Sequence, residues 1–344
     1  MVGINPRSSV VVAITALSFL LIFLFPIKGE ANDDTLNFYV TPLFPDSQIE
    51  DSSSYFDLNL APGEKETLSL EFQNVSNEPI QISITPHTAY TNVHGVVEYG
   101  KDANNPDTTL VYALDSLFEP VEIINLAANE GKTIDVVLHM PKEAFEGFLA
   151  GGLRITEIKD EPEEEEREGE GVAITNDFAY VIGVIISNSR NSVQPDLDLL
   201  DVFADQLNYR NVISATIQNF TPSFVNRMAI EATVRKADES DVLYSADAEQ
   251  MQMAPNSHFH FPISLEGNPF QSGDYILNLK ATSGDDEWEW ERRFTIETEE
   301  ARALNRSDVT IDTSVNWWMI VSIVVIISLI LVILWMKIEQ KKKD

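Results

Sequence analysis

Residue types that could do chemistry are few in this chain. In "SHFHF", His258 and His260 flank Phe259, so in a strand both imidazoles project from one face and could seat a divalent metal. No carboxylate or third histidine lies nearby in sequence, and a packed or surface pair is the favoured reading. "KDANNPD" at 101–107 offers Asp102, Asn104 and Asp107 as hard oxygen ligands for calcium, but it lacks the glycine and the distal glutamate of an EF loop and reads as a polar turn. Trp288 and Trp290 alternate with Glu287, Glu289 and Glu291, which puts two indoles on one strand face and three carboxylates on the other. Indoles so placed can stack on a sugar ring or face a core; the core reading carries more weight, and the pair stands as a weak binding candidate. "FLAGGL" invites a phosphate-loop reading through Gly151 and Gly152, but nothing helical follows to bind an anion. Adjacent glycines inside a strand more often mark a bulge or a close backbone approach.

The absences are equally informative. There is no GxSxG elbow, HExxH, Walker loop or cysteine nucleophile. With 55 acidic residues some pair always falls at glycosidase spacing, so carboxylates alone identify nothing. No catalytic residue, metal ligand or cofactor is assigned, and the reading is non-enzymatic. The net charge of −32 sets nucleic acid aside as a partner, since such a field repels phosphate. A chain without cysteine has neither disulfide staples nor thiolate zinc ligands, so its stability must come from burial.

The elements that would position these residues are strands. Short runs rich in Val, Ile, Phe and Tyr alternate apolar with polar residues, as in "TLSLEFQN", "IQISIT", "TIDVVLHM", "MAIEATVRK" and "YILNLKA". Turn signals such as "APGE" and "APNS" separate them. The fold class expected is all-β, with two tandem immunoglobulin-like β-sandwiches, because a sheet with one apolar face must be covered by another. The two halves also repeat. Gln73-Asn74 and Gln218-Asn219 each end a strand, and "EGFLAGGLRIT" (146–156) aligns without a gap on "SGDYILNLKAT" (272–282).

That repeat bears on the acidic run "EPEEEEREGEG". In the second half the corresponding strand turns through "SGDDE" into the last strand, "WEWERRFTIE", so the acidic residues 160–171 are expected in a hairpin loop of the first sandwich. The domain boundary then falls at the connector "SRNSVQP", giving sandwiches at 32–190 and 191–304.

Both ends of the chain suggest export. The apolar run Val10 to Phe25, with small residues Gly29 and Ala31 after it, reads as a signal peptide over 1–31 cut after Ala31. Residues 317–336 carry no charge and are expected to form one C-terminal transmembrane helix, preceded by a juxtamembrane linker at 305–316. Trp317, Trp318 and Trp335 would sit at its interfaces, and the tail 337–344, with Lys341, Lys342 and Lys343, would face the cytoplasm. The expected location is thus the cell membrane as a single-pass type I protein.

Taken in order, "FYVTPLFPDSQ", "SYFDLNLAPGEKETLSLEFQNVS", "TPHTAYTNVHGVVEYG", "MPKEAFEGFLAGGLRI", "DFAYVIGVIIS", "QNFTPSFV", "MAPNSHFHFPISLEG" and "SGDYILNLKATSGDDEWEWERRFTIETEEARALN" closely resemble the WxL-interacting proteins of Gram-positive bacteria over residues 36–305. The resemblance implies a cell-surface adhesion or scaffold protein facing the cell wall. It implies a peptidoglycan-binding first domain, a host-binding second domain, and peptidoglycan, WxL-domain proteins and host extracellular proteins as partners. The family's profiles divide such chains near the acidic run, ending near 160 and resuming near 170, and carry over no contact residue. Two other readings compete. Sequons at Asn74, Asn219 and Asn305 with the terminal "KKKD" suit an endoplasmic-reticulum type I membrane protein with luminal sandwiches and a dilysine tail. A cell-wall glycan hydrolase has less to support it.

Overall fold

The computed structural model describes residues 36–49, 54–159, 178–311 and 321–331. In chain order the first ten strands are β1 (Phe38–Leu43), β2 (Phe56–Asn59), β3 (Lys65–Asn74), β4 (Ile80–Thr88), β5 (Tyr90–Thr91), β6 (Val97–Glu98), β7 (Ile124–Leu126), β8 (Gly131–His139), β9 (Leu149–Ile158) and β10 (Ala179–Ser187). Seven more follow: β11 (Leu197–Leu207), β12 (Arg210–Asn219), β13 (Val225–Lys236), β14 (Val242–Met253), β15 (Ser257–Ser264), β16 (Gly273–Ser283) and β17 (Asp286–Ile296). A helix, α1 (Thr298–Ser307), closes the second unit.

Two β-sandwiches result. In the first, a sheet ordered β1-β3-β8 faces one ordered β2-β10-β9-β4-β7. In the second, β11-β12-β15 faces β14-β13-β16-β17. The orders correspond strand for strand once β2 is set aside, which is how a duplicated sequence should fold. Period-two patterning builds each core: Leu68, Leu70 and Phe72 of β3 point inward with Leu153 and Ile155 of β9, while Glu71 stays in water. A second core gathers Ile217, Ile230, Phe261, Leu277 and Leu279. Nonpolar area removed from water drives both.

Asn74 and Asn219 show the duplication at atomic detail. Asn74 Nδ2 donates to the carbonyls of Glu78 (2.9 Å) and Ala127 (2.8 Å), while its Oδ1 accepts from Ser76 N. Asn219 Nδ2 donates to the carbonyls of Ser223 (2.7 Å) and Ala254 (2.9 Å), while its Oδ1 accepts from Thr221 N. Each asparagine is fully buried and ties its strand end to the turn two sequence segments away. The turns match as well, with Asn129 and Asn256 both at positive φ.

Strand β10 follows the acidic run and pairs antiparallel with β9, from Ala179↔Thr156 to Ile186↔Leu149, and parallel with β2. Its Ile182, Val184 and Ile186 belong to the first core. The acidic run at 160–171 itself lies outside the described residues. Order continues past residue 304, where a linker was expected. Asn305 exchanges hydrogen bonds with the backbone of Phe270, and the Asp308 carboxylate accepts the Asn211 N–H at 2.7 Å. The cause is local: α1 lays Ala301 and Leu304 on the second core, which carries its C-terminal end to the β11–β12 turn.

The expected membrane span is described only in part. Of residues 317–336, only 321–331 are described, and they are helical. No helix of the described residues is long and apolar enough to cross a membrane. Trp317, Trp318, Trp335, the Lys341–Lys343 tail and the signal segment with Ala31 lie outside the described residues.

Candidate functional site

Sequence candidates distribute over two places, the junction between the sandwiches and the surface of β17. His258 and His260 do share one face of β15, with ring centroids 6.2 Å apart. Their partners lie in different places. His260 Nδ1 meets Thr216 Oγ1 at 2.9 Å, in register across β12 and β15. His258 Nδ1 instead meets Asp107 Oδ2 at 2.7 Å, reaching from the second sandwich to a loop of the first. Burial, then the neighbouring His258, holds the His260 imidazole below its ordinary value and favours its neutral form.

Asp107 is the residue that sequence reasoning placed in a simple turn. Its side chain is 1% exposed. Gln218 Nε2 donates to both carboxylate oxygens (2.9 and 3.0 Å), and the Thr109 N–H and hydroxyl donate to Oδ1 (2.8 and 2.6 Å). Burial alone would raise this carboxyl, but the bonds from His258, Thr109 and Gln218 outweigh it and hold Asp107 well below the usual carboxylate range. Asp102 serves elsewhere, accepting from Thr88 N at 3.2 Å with His87 Nδ1 at 3.0 Å. The 101–107 loop therefore spends its carboxylates on protein donors and does not converge them on one point. Among the described residues no group of three or more His, Asp or Glu side chains could hold a metal ion.

Further contacts cross the junction. Phe148 N donates to Pro222 O (2.8 Å), Gln252 N to Gly95 O (2.7 Å), and Ala254 N to Thr91 Oγ1 (3.0 Å). Ala89, Val97, Ala150 and Ala254 form a small apolar cluster between them. Gly147 sits at φ +68°, and a Cβ there would come within 2.1 Å of the Pro222 carbonyl oxygen, so only glycine permits this approach.

Gly151 and Gly152 mark close approach within a regular strand, since the β9–β10 register has no shift. A Cβ on Gly151 would lie 2.1 Å from His87 O, and one on Gly152 would lie 2.6 Å from Tyr99 O. Gly183 pairs with Gly152 across the strands, and Tyr55 lies above it. The glycine floor lets the segments bearing Tyr55 and Tyr99 settle on the outer face of the sheet. There, where the second sandwich brings up Phe224, Asn226 and Gln252, a cleft of about 460 Å³ opens. No charged side chain lines it.

Trp288 and Trp290 lie half-buried against the second core. Trp288 Nε1 donates to Asp196 Oδ1 at 2.9 Å, which ties β17 to the start of β11. The strand pattern that predicted their shared face holds, and their burial leaves edges in reach of solvent. Neither residue enters the cleft. The three sequon asparagines have their amide nitrogens committed: Asn74 and Asn219 as described, and Asn305 through a bond to Phe270 O at 3.0 Å. Glycosylation replaces one amide N–H, so at buried Asn74 and Asn219, whose Nδ2 makes two bonds, it would break one of them, while Asn305 could keep its single bond.

Residues 38–157 match the family model described as WxL Interacting Protein, peptidoglycan binding domain, and residues 169–306 match WxL Interacting Protein, host binding domain. The second match begins before β10, although β10 completes the first sandwich. No match was found among curated proteins. Among solved structures, the class 5 fimbriae chaperone CfaA is 14% identical with a TM-score of 0.30, over 76% of this chain and 99% of its own. The YadV chaperone is 11% identical with a TM-score of 0.29, over 76% and 100%. The E. coli chaperone DraB is 11% identical with a TM-score of 0.27, over 76% and 98%. Likeness this distant says nothing of ligands.

Proposed function

Because the chain belongs to the WxL-interacting protein family, we propose that it works at the cell surface as a non-enzymatic adhesion or scaffold protein, holding peptidoglycan through its first sandwich. The match of residues 38–157 to a peptidoglycan-binding model carries this reading. The two sandwiches are read as immunoglobulin-like, with β4, β9 and β10 side by side in one sheet and β3 and β8 in the other. The second sandwich offers its surface to WxL-domain proteins and to host extracellular proteins. Residues 317–336 anchor the assembly in the membrane, which restricts the ligand search to the overlying wall.

Retention on purified peptidoglycan sacculi and on immobilised WxL-domain protein tests the assignment. The expected result is salt-resistant retention on sacculi with no release of sugar or peptide fragments. Failure to sediment with sacculi removes the peptidoglycan reading, and fragment release restores the hydrolase.

A further inference from the structure

We infer that the cleft between the sandwiches is a subsite for an N-acetylated hexosamine of a glycan strand; this rests on the peptidoglycan reading above and gives it a location. Three observations carry it. The first is charge. In a chain of net charge −32, the cleft is lined by neutral side chains alone, which suits a neutral ligand and not a cation or a phosphate.

The second is ring placement. Tyr55 and Tyr99 of the first sandwich and Phe224 of the second border one space over the Gly183 floor. Aromatic faces pack against the C–H faces of sugar rings, and phenol hydroxyls bond sugar hydroxyls at the rim. Burial, with the Tyr55 phenol beside it, pushes the Tyr99 hydroxyl up to about 12, so it stays neutral and able to donate.

The third is the amide pair. Gln252 Nε2 donates to Asn226 Oδ1 at 2.9 Å. Both residues line the cleft, and that bond uses one donor and one acceptor, so the pair keeps one further amide donor, Asn226 Nδ2, and one further acceptor, Gln252 Oε1; turning both amides over exchanges their roles and keeps the pair. An acetamido group needs this complement, a donor for its carbonyl and an acceptor for its N–H. A plain hexose presents no such group.

The volume of about 460 Å³ falls within the ~300–1,000 Å³ usual for ligand clefts, and such clefts favour domain interfaces. Both walls must be present for the subsite to exist. The Gln252 N to Gly95 O bond fixes one wall against the other.

The test uses the purified full chain and N,N′-diacetylchitobiose, with cellobiose as the sugar lacking acetamido groups. Calorimetry should show millimolar or tighter binding of the first and at least tenfold weaker binding of the second. Saturation-transfer NMR should place the strongest contact on the acetyl methyl. Val181, 46% exposed on the cleft wall, is the site for Val181→Glu, which should reduce diacetylchitobiose affinity at least tenfold with an unchanged melting temperature. Asn226→Ala with Gln252→Ala, both at exposed positions, should do the same and erase the preference over cellobiose. Equal binding of the two sugars, no binding of diacetylchitobiose, or full affinity in both variants overturns the subsite. If Val181→Glu still sediments with sacculi as the unaltered chain does, the cleft assignment fails while peptidoglycan binding stands. If the unaltered chain does not sediment at all, the parent reading fails.

Discussion

Replacing Asp107 by alanine should loosen the junction, and the structure sets the size of the effect. The carboxylate accepts from His258, from Gln218 twice, and from Thr109 twice. The two Thr109 donors sit at a half-exposed residue and find water when the acceptor is lost. His258, with a side chain 23% exposed, also recovers solvent. Gln218 is 8% exposed and does not, so its amide is stranded at about 1–3 kcal/mol. Adding the lost charge-assisted bond and subtracting the relief of an unburied charge gives about 2–3 kcal/mol, below the ~3–5 kcal/mol for breaking a fully buried pair. Gln218→Ala made in the Asp107→Ala background should therefore cost about 1–2 kcal/mol less than Gln218→Ala alone. The tryptophans make the measurement domain-resolved, because within the two sandwiches they occur only at Trp288 and Trp290 of the second. Urea unfolding followed by their fluorescence should shift on a substitution made in the first sandwich. An unchanged fluorescence midpoint, or additive single effects, would refute the pin. Its pH dependence has a definite sign: the folded pKa is depressed, so the contribution is complete above the unfolded value of ~3.9 and fades as pH falls below it.

Other outcomes follow from the same geometry. Gly147→Ala should cost at least ~3 kcal/mol by the same fluorescence assay, the left-handed backbone supplying ~1–2 and the Pro222 carbonyl the rest; Gly284→Ala, at φ +62° with nothing within 4 Å, should cost only the backbone part. Trp288→Ala and Trp290→Ala should each destabilise the second sandwich by ~1–3 kcal/mol, since half-buried indoles lose part of a core contact, while retention on sacculi stays unchanged. The depressed His260 means that the unfolded chain takes up a proton the folded one resists, so the melting temperature should fall as pH drops below ~6.5; His260→Asn should flatten that slope. Severing the chain between β9 and β10 should abolish cooperative unfolding of residues 32–159 by circular dichroism and preserve it in 32–190. Losing buried Ile182, Val184 and Ile186 removes about 5–9 kcal/mol at ~1.5–3 each, the scale of a domain's whole stability of ~5–15.

What could be read from sequence was whatever local spacing controls. Alternation fixes which side of β3 or β17 faces inward, because successive side chains oppose each other. The paired Gln-Asn strand ends were visible because each sandwich reuses one local device, an asparagine capping the turn that follows its own strand. Asp107 does sit in a polar turn, but its role at the junction was not legible, for the complementary reason. It stands 111 residues from Gln218 and 151 from His258, so nothing in its neighbours announces its partners. The same holds for the cleft, whose walls are separate segments assembled only when the sandwiches dock. One signal was available: glycines inside strands at 152 and 183, paired across β9 and β10 with no turn to explain them, mark a place where something presses on the outer face of the sheet. What presses is Tyr99 at Gly152 and Tyr55 at Gly183, and the space left beside those aromatics at the junction is where a ligand can enter. The junction thus has two connected tasks, since the contacts that keep the sandwiches from moving independently are those that keep Phe224 and Gln252 opposite Tyr55 and Tyr99. Weakening the Asp107 pin should consequently lower affinity for an acetamido sugar without touching any residue that lines the cleft.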